Sequence, residues 1–135
     1  MNTRKLKMLI RRTHFKFKVR RIMKSRKVKS LNTFISTHRD RGIGKTTYLV
    51  DLIKKHPEEN GVLVVATPRQ KEHLENRFPG VEVQTVQYLM ENRQNYKYKH
   101  LVLYIDEPVF QEDVENLMPY YSIRIYIRYM HVARV

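Results

Sequence analysis

The chain contains no cysteine, which excludes disulfide bonds and thiolate metal sites. No apolar run approaches the roughly 18 residues needed to cross a membrane, so the sequence predicts no membrane span. It has no internal repeat, and its 135 residues suffice for one domain. The six histidines are scattered without the spacing of a metal site, at His14, His38, His56, His73, His100 and His131.

Acidic residues are absent from the first 30 residues, which hold 13 lysines and arginines. The remaining residues hold 14 basic and all 13 acidic side chains, so the formal net charge of +14 lies almost entirely at the start of the chain. This asymmetry predicts a basic N-terminal arm over residues 1–30 and a near-neutral domain over residues 31–135. Such arms commonly bind nucleic acid or an anionic surface.

The arm contains two different sequence patterns. Its first half, TRKLKMLIRR, is compatible with a basic helix, whereas His14–Val19 alternates apolar and basic residues and predicts a short strand. Phe15 and Phe17 could then stack on bases. The residues expected to contact phosphates are Lys16, Lys18, Arg20, Arg21, Lys24, Arg26 and Lys27. Three alternatives stay open: a solvated tail, packing of the apolar residues on the domain, and an organelle transit peptide.

The stretch NTFISTHRDRGIGKTTYL at Asn32–Leu49 is typical of a phosphate-binding P-loop. It predicts a buried strand at Thr33–Thr37, a glycine-containing loop, and a helix opening with Lys45. Backbone N–H groups of such a loop point at phosphates, the lysine reaches the β- and γ-phosphates, and the following hydroxyl binds Mg²⁺. The residues expected to bind the nucleotide are Arg41, Gly42, Ile43, Gly44, Lys45, Thr46 and Thr47. Arg39 stands where the usual pattern has its first glycine.

A second motif, LVLYIDE, ends at Asp106 and Glu107. Its apolar residues predict a strand buried on both faces, as in a parallel sheet. In a P-loop enzyme the first acid holds the hydration shell of Mg²⁺ near Thr46, and the second orients and deprotonates the attacking water. We therefore expect Asp106 in the metal site and Glu107 as the catalytic base.

Strands and helices are predicted to alternate along the rest of the chain. The expected strands are Thr33–Thr37, Val62–Ala66, Val81–Val83, Leu101–Ile105 and Ser122–Met130, and the expected helices are Thr46–His56, Arg69–Arg77, Thr85–Asn92 and a short acidic helix or loop at Val109–Met118. Alternation of this kind predicts a three-layer α/β/α fold with a mainly parallel central sheet of reduced size. Ligands of such sheets bind at the carboxyl ends of the strands, where both motifs are expected.

With both motifs present, the chain resembles P-loop ATPases of the additional-strand, catalytic-glutamate type, which include helicases and recombinase-like motors. The loop RGIGKT at Arg41–Thr46 is especially similar to that of the DNA-packaging ATPases of tailed bacteriophages. VLVVATPRQ at Val62–Gln70 and VQTVQYL at Val83–Leu89 resemble later helicase-like segments. The resemblance covers about residues 32–130.

This resemblance implies hydrolysis of ATP with Mg²⁺, with Lys45, Glu107 and Arg41 as catalytic residues and Thr46 and Asp106 at the metal. It implies that the last strand inserts between the P-loop strand and the Asp106 strand. It also implies DNA rather than RNA as the nucleic-acid partner, a role in packaging or a helicase-like motor, assembly into a homo-oligomer or larger motor complex, and a location in the cytoplasm of an infected host.

Two functions remain open at this point. The first is a small viral-type ATPase coupled to nucleic acid, which the presence of Glu107 favours because binding alone does not need it. The second is a nucleic-acid-binding or regulatory module on a P-loop scaffold without hydrolysis. The charge of the arm, Arg39 in place of glycine and the short length favour the second.

Overall fold

A parallel sheet forms the centre of the computed structural model, which describes residues 3–24, 33–36, 43–95 and 100–129. Within those residues the sheet has five strands in the order β1-β5-β4-β2-β3. The strands are β1 (Thr33–Ser36), β2 (Gly61–Val65), β3 (Val83–Thr85), β4 (Val102–Ile105) and β5 (Ser122–Tyr129). All four neighbouring pairs are parallel, so the expected α/β class is confirmed.

Helices cover both faces of the sheet. They are α1 (Thr3–Lys24), α2 (Lys45–Lys55), α3 (Pro68–Arg77), α4 (Val86–Glu91) and α5 (Gln111–Leu117), with a 3₁₀ turn at Pro57–Glu59. One apolar cluster joins α1, α2 and α3 to one face, and a second joins α4 and α5 to the other. Alternate residues of β2 enter different clusters, Leu63 the first and Val64 the second. A strand buried on both faces reads as an unbroken apolar run, which is why VLVVA was recognisable.

Most predicted elements lie within two residues of the observed ones. The largest shift is at β3, which spans Val83–Thr85 rather than Val81–Val83. Thr85 ends this strand and caps α4, because its side chain accepts a hydrogen bond from the backbone N–H of Tyr88. The apolar residues before Val83 pack on the core without pairing in the sheet.

The strand expected at His14–Val19 is wrong, because these residues lie in the middle of the single helix α1. Phe15 and Val19 are four residues apart and so share one side of a helix, and both are fully buried. The Phe15 ring packs edge-on against Phe34 of β1, with ring centroids 4.8 Å apart. Phe15 is therefore unavailable for stacking on bases, whereas Phe17 is 63% exposed. Packing on the domain, one of the three alternatives, is confirmed for Phe15 and Val19.

The face assignment of β5 also needs correction. In SIRIYIRYM, isoleucines alternate with arginine and tyrosine, so the sequence predicts Ile123 and Ile125 on one face and a polar face formed by the residues between them. The observed register pairs Leu103 with Ile123 and Tyr104 with Ile125, so Arg124 is skipped as in a β-bulge. Consequently Ile123 packs in the cluster of α4 and α5, whereas Ile125 packs in that of α1 and α2. This central strand does not present the polar face that alternation predicted.

The burial of α1 leads to a stability prediction with a matched control. Phe15→Ala should lower the free energy of unfolding by about 3–5 kcal/mol, because it removes a buried aromatic ring and leaves a cavity. Phe17→Ala makes the same change on the exposed side of the helix and should change it by no more than about 0.5 kcal/mol. Urea unfolding followed by circular dichroism measures both. Similar small losses in both variants would contradict the packing of α1 on the sheet.

Candidate functional site

The two motifs meet at the carboxyl edge of the sheet. The segment after β1 leads to Lys45 at the start of α2, and β4 runs directly into Asp106 and Glu107. Strand β5 lies between β1 and β4, as the resemblance implied. Because the three strands are parallel, both segments emerge at the same edge although some 60 residues separate them in the chain.

The start of α2 depends on Gly44. This residue has φ 84° and ψ 32°, a left-handed conformation that side-chain-bearing residues rarely adopt. A Cβ atom built there would meet nothing within 4 Å, so the glycine is required by the backbone conformation and not by lack of space. No side chain caps α2 at this residue. The first N–H groups of α2 carry the positive end of the helix dipole.

Two contacts join the motifs. The Thr46 hydroxyl donates a hydrogen bond to Asp106, with Oγ1 and Oδ2 2.6 Å apart. The Lys45 ammonium forms an ion pair with Glu107, with Nζ and Oε1 2.9 Å apart. Lys45 is only 7% exposed and Glu107 21%, so this pair lies in a partly desolvated cleft. Lys45 and Thr46 of the first motif thus each contact a carboxylate of the second.

Asp106 is the most deeply buried acid of the site, at 4% exposure. The pKa of its carboxyl is raised from 3.8 to about 6, chiefly by burial and in smaller part by the neighbouring Glu107 carboxylate. Hydrogen bonds from the Thr46 hydroxyl and the Glu107 backbone N–H, and the Lys45 charge, lower the pKa in part. Near neutral pH the carboxyl is therefore ionised, and burial of its charge costs free energy that a bound cation would reduce.

The segment after Glu107 is held by β5. The Tyr126 hydroxyl donates a hydrogen bond to the backbone carbonyl of Val109, and both residues are buried. Desolvation raises the pKa of Tyr126, so this hydroxyl stays protonated and able to donate. The bulged register at Arg124 puts Tyr126 on the face of α5, next to this segment. β5 thereby fixes the chain on the far side of the two acids.

A contact that the sequence analysis missed ties α1 to the other side of the site. Arg12 donates from Nε to the carbonyl of Ile43, over 2.9 Å and 31 residues of sequence. Ile43 is itself buried in the core, directly before Gly44. Arg12 is one of many basic residues in the arm, and no local signal distinguishes it from its neighbours.

The other predicted site residues fall into two groups. Thr47 follows Thr46 in the first turn of α2 and is partly buried, whereas Arg41, Gly42, Arg26 and Lys27 lie outside the described residues, as does the side chain of Lys24. On α1, Lys18, Arg20 and Arg21 are exposed. Lys16 is partly buried, with Nζ 5.6 Å from the centre of the Tyr48 ring. The expected contacts of the arm with phosphates stay predictions.

No family model, curated protein or solved structure matches the chain. What is established is therefore an α/β protein with a parallel sheet, helices on both faces and four polar side chains meeting at its carboxyl edge. In the described part of the chain, none of the helices is both long enough and apolar enough to cross a membrane. The same residues contain no cluster of three or more His, Cys, Asp or Glu side chains suited to a metal.

The raised pKa of Asp106 predicts a pH-dependent stability. Between about pH 4 and pH 6 the folded state keeps a proton that the unfolded chain has released, so this group's contribution is full below pH 4 and is lost as the pH rises through 6. From pH 4 to pH 7, the difference in free energy of unfolding between the wild type and Asp106→Asn should shift by up to about 3 kcal/mol in favour of the variant.

Urea titrations across this pH range measure the effect. Asp51→Asn, which neutralises an exposed carboxylate of α2, serves as the control and should show no comparable shift. Parallel curves for the wild type and Asp106→Asn would contradict the burial of Asp106 as a charged group.

Proposed function

We propose that this protein binds a nucleoside triphosphate, most simply ATP, together with Mg²⁺ at the carboxyl edge of its sheet, and hydrolyses it. The observation that carries the proposal is the 2.6 Å hydrogen bond between Thr46 and Asp106. It joins the hydroxyl at a helix start after one strand to a carboxylate at the end of another. A hydroxyl and a carboxylate that meet in this way are hard oxygen donors, which Mg²⁺ prefers.

The donor set fits the cofactor in three respects. Thr46 and Asp106 would supply two oxygens to the ion or to its hydration shell, since Mg²⁺ bound to phosphates usually keeps several waters. Lys45 and the first N–H groups of α2 would supply positive charge for phosphate oxygens. The bound ion would neutralise phosphate charge and lower the cost of burying the Asp106 carboxylate.

Lys45 and Glu107 would take different parts in hydrolysis. Lys45 would hold the terminal phosphates and stabilise the charge that develops on them. Glu107, the more exposed of the two acids, would orient a water molecule and accept its proton. Because these two side chains form an ion pair with each other, a phosphate that recruits Lys45 would release Glu107 for this work. Binding and activation of the base are thus linked in the proposal.

Coupling to nucleic acid is the second part of the proposal. It rests on the basic charge of α1, of which Lys18, Arg20 and Arg21 are exposed, and on the resemblance to packaging ATPases. Removing residues 1–30 is not a clean test, because α1 contributes Phe15 and Val19 to the core. Substitutions of exposed basic residues are the appropriate probe.

A second candidate function is nucleotide binding without hydrolysis, in a regulatory or nucleic-acid-binding module. The Lys45–Glu107 ion pair favours it, because that pair occupies the carboxylate that hydrolysis requires. Under this alternative the wild type would bind ATP with Mg²⁺ but release no phosphate.

Phosphate release from ATP with Mg²⁺ tests the proposal. Lys45→Ala should lower turnover by at least about 100-fold, because it removes the charge that stabilises the transferred phosphoryl group. Glu107→Gln should lower turnover by roughly 10²–10⁴-fold and keep ATP binding, because only the base is lost. Lys54→Ala and Glu112→Gln make the same changes at exposed residues of α2 and α5 and should retain activity.

The pattern of losses separates the two candidates. Turnover that is unaffected by both Lys45→Ala and Glu107→Gln would disprove the proposed site. If the wild type binds ATP but shows no turnover, either alone or with DNA or RNA, the second candidate function, a binding module without hydrolysis, is supported instead.

Removal of the metal is an independent prediction. Chelation with EDTA should abolish turnover, and Mg²⁺ titrated back should restore it. Thr46→Ala should raise the Mg²⁺ concentration needed for half-maximal activity, because one of the two protein oxygens is lost. Thr47→Ala is the matched control, since it removes the neighbouring hydroxyl, for which no metal contact is proposed. An equal requirement for Mg²⁺ in both variants would exclude Thr46 as a ligand.

A further inference from the structure

A cavity lies alongside α2, between that helix, α1 and β5. It has a volume of about 480 Å³, within the range of small-ligand pockets. Its wall is formed by Arg20, Tyr48, Asp51, Leu52, Lys55, His56 and Arg124. Along α2 the wall extends from Tyr48 in the first turn to His56 just past the last residue of the helix, and Lys45 is not part of it.

Charge at this cavity favours an anion. Arg20, Lys55 and Arg124 carry permanent positive charge near neutral pH, whereas Asp51 is the one carboxylate in the wall. Glu59 forms an ion pair with Arg124, with Oε2 3.6 Å from Nε, and so offsets part of the charge of that side chain. Glu59 also accepts a 2.6 Å hydrogen bond from the Tyr104 hydroxyl. Arg20 and Lys55 are therefore the cations of the wall on which binding of an anion rests.

The cavity also has an aromatic wall. Tyr48 lies in α2 and is held from one side by the Phe15 ring, with ring centroids 5.6 Å apart. A base can stack on such a ring, and Asp51 can accept hydrogen bonds from a sugar hydroxyl or an exocyclic amine. Cations for a phosphate, an aromatic surface for a base and an acceptor for hydroxyl or amine groups therefore border one space.

We propose that this cavity binds one nucleotide unit, with its phosphate against Arg20 and Lys55 and its base against Tyr48. The unit comes either from a single strand of nucleic acid or from a free nucleoside monophosphate, since both present the same chemistry. The inference deepens the nucleic-acid contact of the proposed function by giving it a location, and it does not depend on ATP hydrolysis.

Two double variants with the same composition and net charge test the proposal. Arg20→Gln with Lys55→Gln removes two cations of the cavity wall. Arg21→Gln with Lys54→Gln removes the neighbouring cations of the same helices, which are exposed and do not line the cavity. All four side chains are exposed, so both proteins should fold, and equal thermal midpoints verify this.

Binding is measured by fluorescence anisotropy with a labelled oligodeoxyadenylate of about twelve nucleotides, without ATP or Mg²⁺. The cavity variant should bind at least about tenfold more weakly, and the slope of log affinity against log salt should fall by about 0.7 for one lost phosphate contact on a single strand. The neighbouring variant should lose less than about threefold. Equal losses in both variants would overturn the proposal, because they would indicate diffuse attraction along α1 and α2.

Competition with unlabelled AMP and inorganic phosphate, in the Lys45→Ala background, distinguishes the sources. Displacement of the strand by AMP, sensitive to the cavity variant, indicates a site open to free nucleotides. Binding of the strand without displacement by AMP indicates a site for nucleic acid. Inorganic phosphate that competes as well as AMP, or no binding of either AMP or strand by the Lys45→Ala protein with an intact cavity, would overturn the assignment. Because every protein in this competition lacks Lys45, a negative result would not count against the proposed ATP site.

Discussion

The carboxylate of Asp106 is the constraint on which the carboxyl edge of the sheet depends. A buried acid is costly unless polar groups surround it, and here a hydroxyl, a backbone N–H and a nearby ammonium group do so. Two of these partners come from the start of α2, which the left-handed Gly44 places there. Burial makes the ionised carboxylate of Asp106 costly in free energy, and for the same reason a cation beside it would be bound favourably. The buried charge of Asp106 therefore lowers the stability of the fold, whereas the proposed binding of Mg²⁺ requires that charge.

The positive charges of this protein lie in two different environments, one enclosed and one at the surface. Lys45 is enclosed and neutralised by Glu107, so it acts at short range on a group that enters the cleft. The basic residues of α1 lie mostly at the surface, where salt screens them and where they attract polyanions over longer distances. Arg20 is exposed as well, but it also borders a cavity with groups from two other elements. A net charge of +14 thus serves different purposes in different parts of the fold.

The sequence allowed the sheet to be predicted because its central strands are apolar on both faces and are bounded by turn residues. The meeting of Thr46 with Asp106 was also predictable, since the ends of parallel strands share an edge. Three features depended on contacts distant in sequence. The alternation in HFKFKV suited a strand, but burial of Phe15 and Val19 against β1 requires a helix. The skipped residue Arg124 and the hydrogen bond from Arg12 to Ile43 have no local signature.

Strand β5 has a consequence for how the protein is made. Among the described strands it is the only partner of β1, and it alone joins β1 to β4. β1 is the first of these strands to leave the ribosome and β5 the last, so the two halves of the carboxyl edge stay separate until synthesis has nearly reached the end of β5. Until then β2, β3 and β4 can pair with one another, whereas the edge of β1 that pairs with β5 stays open and α1 lacks its contacts with β5. Pairings between distant segments form slowly, and uncovered strands invite aggregation. Translation speed and chaperone access should therefore affect the yield of this chain more than its modest length suggests.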